Sequence, residues 1–272
     1  MSESDYSNDN ADVSVADLSS GGNNLLGAVR PADFALLKGH LKRIDRAAGT
    51  VLYEPGDDVR YVYFPCAQTL VSFMVMLDDG RMVEIGLVGR EGAVGGIVSQ
   101  GRLPAYARAV VQLSGPILRL ESAELERAKL ESVTLRHLFA RYSDCLLAQI
   151  FQSVACNAAH TIEQRTAKWL LGALDRTGDP DVVLTQEQLA TMLAVGRSYI
   201  SRVIHSLRES GAIDTRRGRL QIKDTHKLQH MSCSCNDSVK RHFDDVLSGV
   251  YPTGNAIGGH GMVVTNGPQF RP

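Results

Sequence analysis

The chemistry-bearing residues of this 272-residue sequence are concentrated in one basic stretch of its C-terminal third. Seven Arg or Lys lie between Arg197 and Lys223 against only Glu209 and Asp214, whereas the whole chain has a formal net charge of −1. Guanidinium and ammonium groups at this density suit a nucleic-acid backbone, whose phosphates contribute affinity without carrying sequence information. The local clustering, and not the overall charge, therefore indicates a nucleic-acid partner.

The residues around this stretch predict two short helices joined by a tight turn. Thr185 and Gln188 have the spacing of a capping box at the start of the first helix, and residues 194–196 form a short connection. The second helix is predicted from Arg197 to Ser210, with Gly211 as its C-terminal stop. Its inward-facing residues are expected to be Ile200, Val203, Ile204 and Leu207. This is the pattern of a helix-turn-helix.

The outer face of the second helix carries the residues expected to contact double-stranded DNA. Arg197 and Arg202 are the best candidates for base reading, because guanidinium pairs bidentately with guanine in the major groove. Ser198 and Ser201 are suited to contacts with bases or phosphates. A basic hairpin, or wing, is predicted over residues 212–222. The predicted phosphate contacts are Thr185, Tyr199, His205, Arg216, Arg217 and Arg219.

The N-terminal half has a different texture. After a short helix predicted over Pro31–Leu41, residues 43–120 contain short runs of Val, Ile, Tyr and Phe separated by turn signals such as Asp79-Gly80. This pattern is typical of an antiparallel sandwich or barrel. From about Val133 to Ala159 the absence of Pro and Gly predicts one long helix. For the basic C-terminal motif, the alternative to DNA binding is a solvated helical hairpin whose charges only keep the protein soluble.

The long helix is apolar on two sides. One stripe contains Leu135, Leu138, Tyr142, Cys145, Gln149, Gln152 and Cys156, and a neighbouring stripe contains Phe139, Leu146, Ile150 and Val154. A helix that is apolar on two sides needs two partners. Its own β domain can cover one side, and either that domain or a second copy of the chain can cover the other.

Two segments, TIEQRTAKWLL (161–171) and LTQEQLATMLAVGRSYISRVIHSLRESGAI (184–213), resemble the Crp/Fnr superfamily of bacterial transcription regulators. The resemblance extends over roughly residues 30–228. It implies an α+β fold with an N-terminal antiparallel β-roll that is cyclic-nucleotide-binding-like, a long dimerisation helix and a C-terminal winged helix-turn-helix. It implies base reading by Arg197, Ser198 and Arg202. It also implies a homodimer, RNA polymerase as a partner and an unknown small-molecule effector.

The predicted elements divide the chain into five parts. These are a disordered acidic tail (1–29), a β-roll sensor domain (30–130), a dimerisation helix (131–160), a winged helix-turn-helix domain (161–228) and a C-terminal extension largely disordered at its end (229–272). The predicted dimer interface is the first stripe of the long helix, at Leu135, Leu138, Tyr142, Cys145 and Gln149.

The sensor region departs from superfamily members that bind cyclic nucleotides. Those members have a Gly-Glu pair for the ribose and an Arg-Ser or Arg-Thr pair for the phosphate. Here Arg90 precedes Glu91, and residues 104–106 (Pro-Ala-Tyr) replace the second pair. A buried phosphate without a charge-matched donor would be poorly held. We therefore do not expect a cyclic nucleotide, and Glu91, Gly92 and Arg108 remain the candidate effector pocket.

The cysteines and histidines carry no strong cofactor signature. An Fnr-type iron–sulfur cluster needs grouped N-terminal cysteines, but the first cysteine is Cys66, and His40 and Cys66 are too nonspecific to predict haem. In the segment HMSCSCND, Cys233 and Cys235 lie near several histidines and are capable of binding zinc or reacting with oxidants. Because C-x-C is not the usual C-x-x-C zinc spacing, we expect a solvent-exposed reduced pair and no metal site.

The sequence thus predicts a sequence-specific DNA-binding transcription regulator that acts as a homodimer. The alternative is a cyclic-nucleotide-binding regulatory module that acts through a protein partner. An enzyme is not expected, because the sequence has no paired carboxylates, nucleophile elbow or H-E-x-x-H motif. No apolar run reaches the ~18 residues of a membrane-spanning helix. The N-terminus lacks the pattern of a secretory signal, so we expect a cytoplasmic protein without a membrane partner.

Overall fold

A β-roll of two antiparallel sheets forms the N-terminal half of the protein. The structure, a computed structural model, describes residues 22–97 and 104–248. The strands described before residue 122 are β1 (Lys42–Arg46), β2 (Val51–Tyr53), β3 (Tyr61–Pro65), β4 (Leu70–Met76), β5 (Met82–Val88), β6 (Val94–Gly95), β7 (Arg108–Leu113) and β8 (Gly115–Glu121). They form two four-stranded sheets with the orders β1-β8-β3-β6 and β2-β7-β4-β5.

The predicted antiparallel β-roll is confirmed. Strands β4 and β5 pair from Val71↔Val88 to Met76↔Met82 and are joined by the predicted hairpin turn, in which Gly80 adopts a φ of 81°. Buried side chains from both sheets meet in one cluster between them: Ile44, Tyr63, Val71, Val88, Val94, Ala109, Val111 and Ile117. The sheets are thus held together by alternating inward residues, as in a sandwich.

Helices cover the β-roll and build the C-terminal half. They are α1 (Asn24–Gly27), α2 (Pro31–Lys38), α3 (Ser122–Glu131), α4 (Val133–Ala159), α5 (Ile162–Thr177), α6 (Gln186–Met192), α7 (Arg197–Glu209), α8 (Thr225–Met231) and α9 (Cys235–Leu247). A small sheet of β9 (Asp181–Val182), β10 (Ile213–Arg216) and β11 (Arg219–Ile222) accompanies α6 and α7. The predicted long helix is confirmed as α4. None of the helices in the described part of the chain is both long and apolar enough to span a bilayer.

The N-terminal tail was predicted to be disordered through residue 29, and this is wrong for residues 22–29. Asn23 is fully buried, and its side-chain amide donates to the carbonyl oxygens of Pro65 at 2.9 Å and Gly92 at 2.7 Å. Its side-chain oxygen accepts from the Leu26 N–H at 3.0 Å and so caps α1. The tail is polar in composition, but it includes a short segment whose leucines join the buried cluster between strands β3 and β8 and helices α2, α3 and α4. Residues 1–21 lie outside the described residues.

The described part of the C-terminal extension folds into α9, which the sequence did not predict. The Phe243 ring meets the Tyr142 ring of α4 edge-on at 6.3 Å, and the Arg141 guanidinium donates to the Val246 carbonyl oxygen at 2.8 Å. The expected solvent exposure of Cys233 and Cys235 is wrong, because the two residues are only 8% and 4% exposed. The packing of α9 along α4 explains their burial. The end of the extension, from residue 249, lies outside the described residues.

The stripe of α4 that was assigned to the dimer interface lies inside the protomer, so that prediction is wrong. Its five side chains are buried: Leu135, Leu138, Tyr142, Cys145 and Gln149. The Tyr142 hydroxyl accepts from the Ala93 N–H at 2.8 Å and donates to the Ala93 carbonyl oxygen at 3.0 Å. The Gln149 amide donates to the Leu87 carbonyl oxygen at 2.9 Å. The β-roll and α9 together already cover this stripe.

A different row of α4 residues is exposed, and we call it the exposed seam. Its members recur at alternate intervals of three and four residues: His137, Ala140, Asp144, Leu147, Phe151, Val154 and Ala158. Leu147, Phe151 and Val154 are 46%, 64% and 65% exposed. This is the a/d spacing of a coiled-coil seam. The described chain therefore leaves an apolar α4 surface facing solvent.

Candidate nucleic-acid interface

The first helix of the motif, α6, begins at the predicted capping box. The Gln188 N–H donates to the Thr185 hydroxyl at 3.1 Å, and the Thr185 N–H donates to the Gln188 side-chain oxygen at 2.9 Å. The box satisfies two N–H groups that would otherwise lack partners at the start of the helix. It also fixes Thr185 at the exposed N-terminal end of α6.

The turn between α6 and α7 holds one residue in a left-handed conformation. Ala194 has a φ of 57°, a region that favours glycine. The Val195 N–H donates to the Ala190 carbonyl oxygen at 3.0 Å, and Gly196 then caps α7. A left-handed non-glycine residue costs about 1–2 kcal/mol, so the surrounding packing must hold the turn in place.

The inner face of α7 anchors it to the domain core. The predicted inward residues are all buried: Ile200, Val203, Ile204 and Leu207. The Ser201 hydroxyl donates to the Gln186 side-chain oxygen at 2.7 Å and so links α7 to α6. Ser201 was predicted to read bases, but its hydroxyl is committed to this link. The two helices therefore present α7 at a fixed angle.

The outer face of α7 presents Arg197, Ser198 and Arg202 to solvent. The Arg202 guanidinium lies 5.2 Å from the centre of the Tyr199 ring, within the range of a cation–π contact. The Tyr199 hydroxyl donates to a Glu163 carboxylate oxygen at 3.2 Å. This contact differs from the predicted phosphate contact of Tyr199. The tyrosine instead connects α5 to the arginine that was predicted to read bases.

The Tyr199–Glu163 contact shifts both ionisations. Partial burial and the Glu163 carboxylate raise the pKa of Tyr199. A hydrogen bond from its own backbone N–H is the main cause that lowers the pKa of Glu163, with help from Thr161, Tyr199 and Arg202. Both shifts favour the arrangement of a neutral hydroxyl donating to a charged carboxylate. No pattern in the sequence signals Glu163 or Gln186, because their contacts are formed between helices.

The wing is confirmed as the hairpin of β10 and β11. Its strands pair from Ile213↔Ile222 to Arg216↔Arg219, and Gly218 takes a φ of 68° in the tight turn. Arg216, Arg217 and Arg219 are all exposed. Arg219 also lies 3.6 Å from an Asp181 carboxylate oxygen.

An open groove between the wing and the starts of α6 and α7 brings several predicted contacts together. Thr185, Arg197, Arg216 and Arg219 line it. His205 lies two turns further along α7, where its Nε2 is 3.1 Å from a Glu209 carboxylate oxygen. The groove therefore combines the N-terminal end of a helix with three guanidinium groups, an arrangement suited to a phosphate.

The three residues predicted to form an effector pocket make separate contacts, and they do not together line the cleft beside Glu91. Glu91 accepts from the Arg176 guanidinium of α5 at 2.8 Å, whereas Arg108 donates to Glu54 at 2.7 Å. The Tyr142 side chain fills the space beside Gly92, where even a Cβ atom would clash with it. Glu91 lines a cleft with residues of α5 and α9, and Gly92 and Arg108 are not among the residues that line it.

The helix-turn-helix half is docked against the β-roll. Side chains of β4, β5 and β7 share one buried cluster with α5, and the Trp169 indole N–H donates to the Glu84 carboxylate at 2.9 Å. The Ser72 hydroxyl donates to the other Glu84 oxygen. Burial raises the pKa of Glu84 to about 7. Glu84 and Glu91 are thus carboxylates of the β-roll that form hydrogen bonds with α5.

Residues 164–231 match the family model of the Crp-like helix-turn-helix domain. This part of the chain is a Crp-like helix-turn-helix domain. The match begins just after Glu163 and ends at the last residue of α8, so it contains α6, the recognition helix α7 and the wing. No curated protein matches this sequence.

Solved structures share the fold over about 70% of this chain. FixK2 from Bradyrhizobium japonicum is 16% identical, with a TM-score of 0.60 over 71% of this chain and 98% of that chain. A CRP-family transcriptional regulator from Thermus thermophilus is 21% identical, with a TM-score of 0.59 over 70% and 96%. The c-di-GMP responsive global regulator CLP of Xanthomonas campestris is 14% identical, with a TM-score of 0.55 over 71% and 99%. The resemblance to Crp/Fnr regulators and the predicted fold class are therefore confirmed.

Proposed function

We propose that this protein is a Crp/Fnr-type transcription regulator that binds a two-fold symmetric operator as a homodimer. The observation that carries the proposal is the exposed face of Arg197, Ser198 and Arg202 beside a basic wing in a Crp-like helix-turn-helix domain. The recognition helix of this motif lies in the major groove, where arginine pairs with the O6 and N7 atoms of guanine. An exposed cationic face of this kind is suited to an anionic partner such as a phosphate backbone.

The two sets of cations have different roles in this proposal. Arg197 and Arg202, with Ser198, read base edges, and Arg202 is held over the Tyr199 ring for that purpose. Thr185, Arg216, Arg217 and Arg219 contact phosphates and contribute affinity that depends on salt. Arg197 also lines the groove next to the wing, so it lies between the two sets.

The exposed seam of α4 is the proposed dimer interface. Leu147, Phe151 and Val154 have the spacing that packs one helix against a parallel copy, and no described residue of the protomer buries them. A two-fold axis along this seam pairs the two recognition helices. Half-sites about one helical turn apart, ~34 Å, are the geometric consequence for the operator.

The signal acts, in this proposal, through the docking of the helix-turn-helix domain on the β-roll. An effector that prefers one placement of α5 shifts the population of DNA-competent dimers. Two hydrogen bonds hold α5 in its present position on the β-roll: Trp169 to Glu84 and Arg176 to Glu91. The effector is an unidentified small molecule, RNA polymerase is the expected protein partner and the bacterial cytoplasm is the expected location.

Selection of bound sequences from random duplex DNA tests the proposal. The purified full chain should enrich a palindromic site, and a gel shift with that site should give one complex containing two chains. Arg202→Ala is the matched variant, since Arg202 is exposed and its loss leaves the domain core intact. Failure of a folded dimer to enrich any sequence would contradict the proposed function.

A further inference from the structure

Three cysteines and one histidine that are far apart in sequence meet at the junction between α4 and α5. Cys156 lies in the last turn of α4, and His160 is the residue that ends this helix. Cys233 and Cys235 flank the entry into α9. One potential ligand atom from each of the four lies within 4.8 Å of every other. Because Cys156 and His160 are four residues apart, the end of the helix directs both side chains to the same side.

The spacing of these atoms fits a single tetrahedral ion. Zinc sites with Zn–S bonds of ~2.3 Å and Zn–N bonds of ~2.0–2.1 Å place two sulfurs about 3.8 Å apart, and a sulfur and a nitrogen about 3.6 Å apart. The Cys156 and Cys233 sulfurs are 3.7 Å apart, and the Cys235 sulfur lies 3.5 Å from His160 Nδ1. An iron–sulfur cluster distributes its ligands over several irons and needs them further apart. These two distances therefore match a mononuclear site, and all four ligand atoms lie within 4.8 Å of one another.

Two groups beside the cluster are placed to stabilise thiolates once an ion is bound. The Gln152 amide donates to the Cys235 sulfur at 3.1 Å. The Arg165 guanidinium is half-buried close to Cys156 and Cys233. Three thiolates and one imidazole around a dication leave one excess negative charge, which this guanidinium offsets. Hydrogen bonds and charges outside the ligands orient them and tune metal affinity.

We propose that Cys156, His160, Cys233 and Cys235 form a structural zinc site. The set is a Cys3His site, and zinc prefers such a combination of thiolates and imidazole in tetrahedral geometry. Each thiol loses its proton as it binds the ion. The cysteine sulfurs are buried and the four protein ligands complete the coordination, which is typical of a structural and not a catalytic site.

The zinc ion joins the junction between α4 and α5 to the entry into α9. It ties Cys156 at the end of α4 and His160, in the two-residue link before α5, to Cys233 and to Cys235 at the start of α9. The ion therefore fixes the exit of the Crp-like domain from the long helix. Because the folded chain binds the ion and the unfolded chain does so only weakly, bound zinc stabilises the folded state.

The sequence alone did not predict this site. It drew attention to Cys233 and Cys235 with histidines close to them in sequence, whereas the other two ligands that the fold supplies are Cys156 and His160. Three residues separate Cys156 from His160, a common spacing in zinc sites, but only one residue separates Cys233 from Cys235. The second half of the site is therefore visible only once α9 has been placed against α4.

Metal analysis of the full chain, purified under reducing conditions without chelator, tests the proposal. We expect one zinc per chain, and we expect Cys235→Ser to abolish it. Cys145→Ala is the matched control, since Cys145 is another buried cysteine of α4 that lies outside the cluster, and it should retain the ion. His160→Ala, at a partly exposed helix end, serves as a second variant if Cys235→Ser fails to fold. It should weaken zinc binding by more than the ~100-fold that loss of an outer-shell partner can cause.

Cobalt substitution gives an independent readout. The apo chain with Co2+ should develop the intense visible bands of a tetrahedral ion together with thiolate-to-cobalt charge transfer, and Zn2+ should displace both. Chelation should lower the melting temperature of the wild-type chain and leave that of Cys235→Ser unchanged. Equal zinc content in wild type and Cys235→Ser, a weak octahedral cobalt spectrum, iron with acid-labile sulfide, or a Cys156–Cys233 disulfide would each overturn the proposal.

Discussion

The recognition helix α7 and the long helix α4 differ in the number of partners that cover them. Four inward residues anchor α7 to its domain core, and the opposite face, with Arg197 and Arg202, is polar and exposed. On α4, one heptad-spaced row is buried under the β-roll and α9, while the exposed seam carries apolar side chains such as Phe151. Both helices are amphipathic, but only α7 has a single apolar face.

This difference determines whether the spacing of apolar residues can identify the partner of each helix face. On α7 the apolar face has one possible partner, so the remaining face must meet solvent or a ligand. On α4 two rows share the same alternation of three and four residues, and spacing does not state which row meets the protomer and which meets a second chain. Burial of a Leu or Phe side chain stabilises by about 1.5–3 kcal/mol whichever partner supplies it.

The largest expected effect is on the exposed seam. Phe151→Glu places a charge at the centre of the proposed interface, so the dimer should dissociate and operator affinity should fall by ~1,000-fold or more, about 4 kcal/mol. Light scattering and anisotropy titration measure the two effects. Leu130→Glu is the matched control, because Leu130 is exposed on α3 away from the seam. An intact dimer of Phe151→Glu would show that the second copy binds elsewhere.

The buried row should respond differently. Leu138→Ala removes a side chain that is 2% exposed, so it should lower the free energy of unfolding by ~2–5 kcal/mol. Urea unfolding at fixed protein concentration measures this loss, and light scattering below the transition should still report a dimer. If Leu138→Ala instead separated the dimer into stable, folded protomers, the buried row would belong to the dimer interface.

Substitutions in the recognition helix and in the wing should change DNA binding in different ways, one in its sequence preference and the other in its salt dependence. Arg202→Ala should reduce discrimination between operator and random DNA by ~1–3 kcal/mol. Arg216→Ala should weaken binding to all sequences and reduce the salt slope by about one unit. Titrations at several salt concentrations with both DNAs distinguish them. Equal losses on both DNAs for the two variants would contradict the division into base readers and phosphate contacts.

The smallest expected effect concerns Glu84, which links the β-roll to α5. Its pKa is raised from 4.5 to about 7 by burial, so the stability gained from the neutral carboxyl is complete below pH 4.5 and is lost as the pH rises through 7. Glu84→Gln stays neutral and pairs with both Ser72 and Trp169. Because Glu84 as a whole residue retains some solvent exposure, we expect a gain in unfolding free energy of only about 1 kcal/mol at pH 8.

Thermal unfolding of Glu84→Gln and wild type at pH 5 and pH 8 measures this effect. The difference between the two proteins should be larger at pH 8 than at pH 5. A difference that is independent of pH would mean that Glu84 is already ionised in the folded protein at the lower pH.

The predictable parts of the fold depend on local signals. The capping box at Thr185 and Gln188, the length of α4 and the wing turn at Gly218 are set by residues close in sequence. The missed features depend on contacts between distant elements. Asn23 enters the core through hydrogen bonds to Pro65 and Gly92, and α9 packs on α4 across about one hundred residues of sequence. No local pattern of residues encodes such pairings.

In the candidate site, too, the features set by local sequence were predictable and those set by contacts between helices were not. Arg197 and Arg202 were identified from the polar face of one helix, and their exposure agrees with that prediction. The commitments of Tyr199 to Glu163 and of Ser201 to Gln186 were not foreseeable, because each joins two helices whose angle the sequence does not state. Composition and spacing therefore predict which face is basic and exposed, whereas tertiary packing decides which hydroxyls near it are already hydrogen-bonded within the protein.

Titration of the selected operator against a version with about five base pairs inserted at its centre tests the central claim most directly, because B-DNA turns once in ~10–10.5 base pairs. The insertion moves one half-site to the opposite side of the duplex. A dimer with two recognition helices on a fixed two-fold should lose specific binding and retain only the affinity of random DNA. Unchanged affinity for the inserted site would contradict the account.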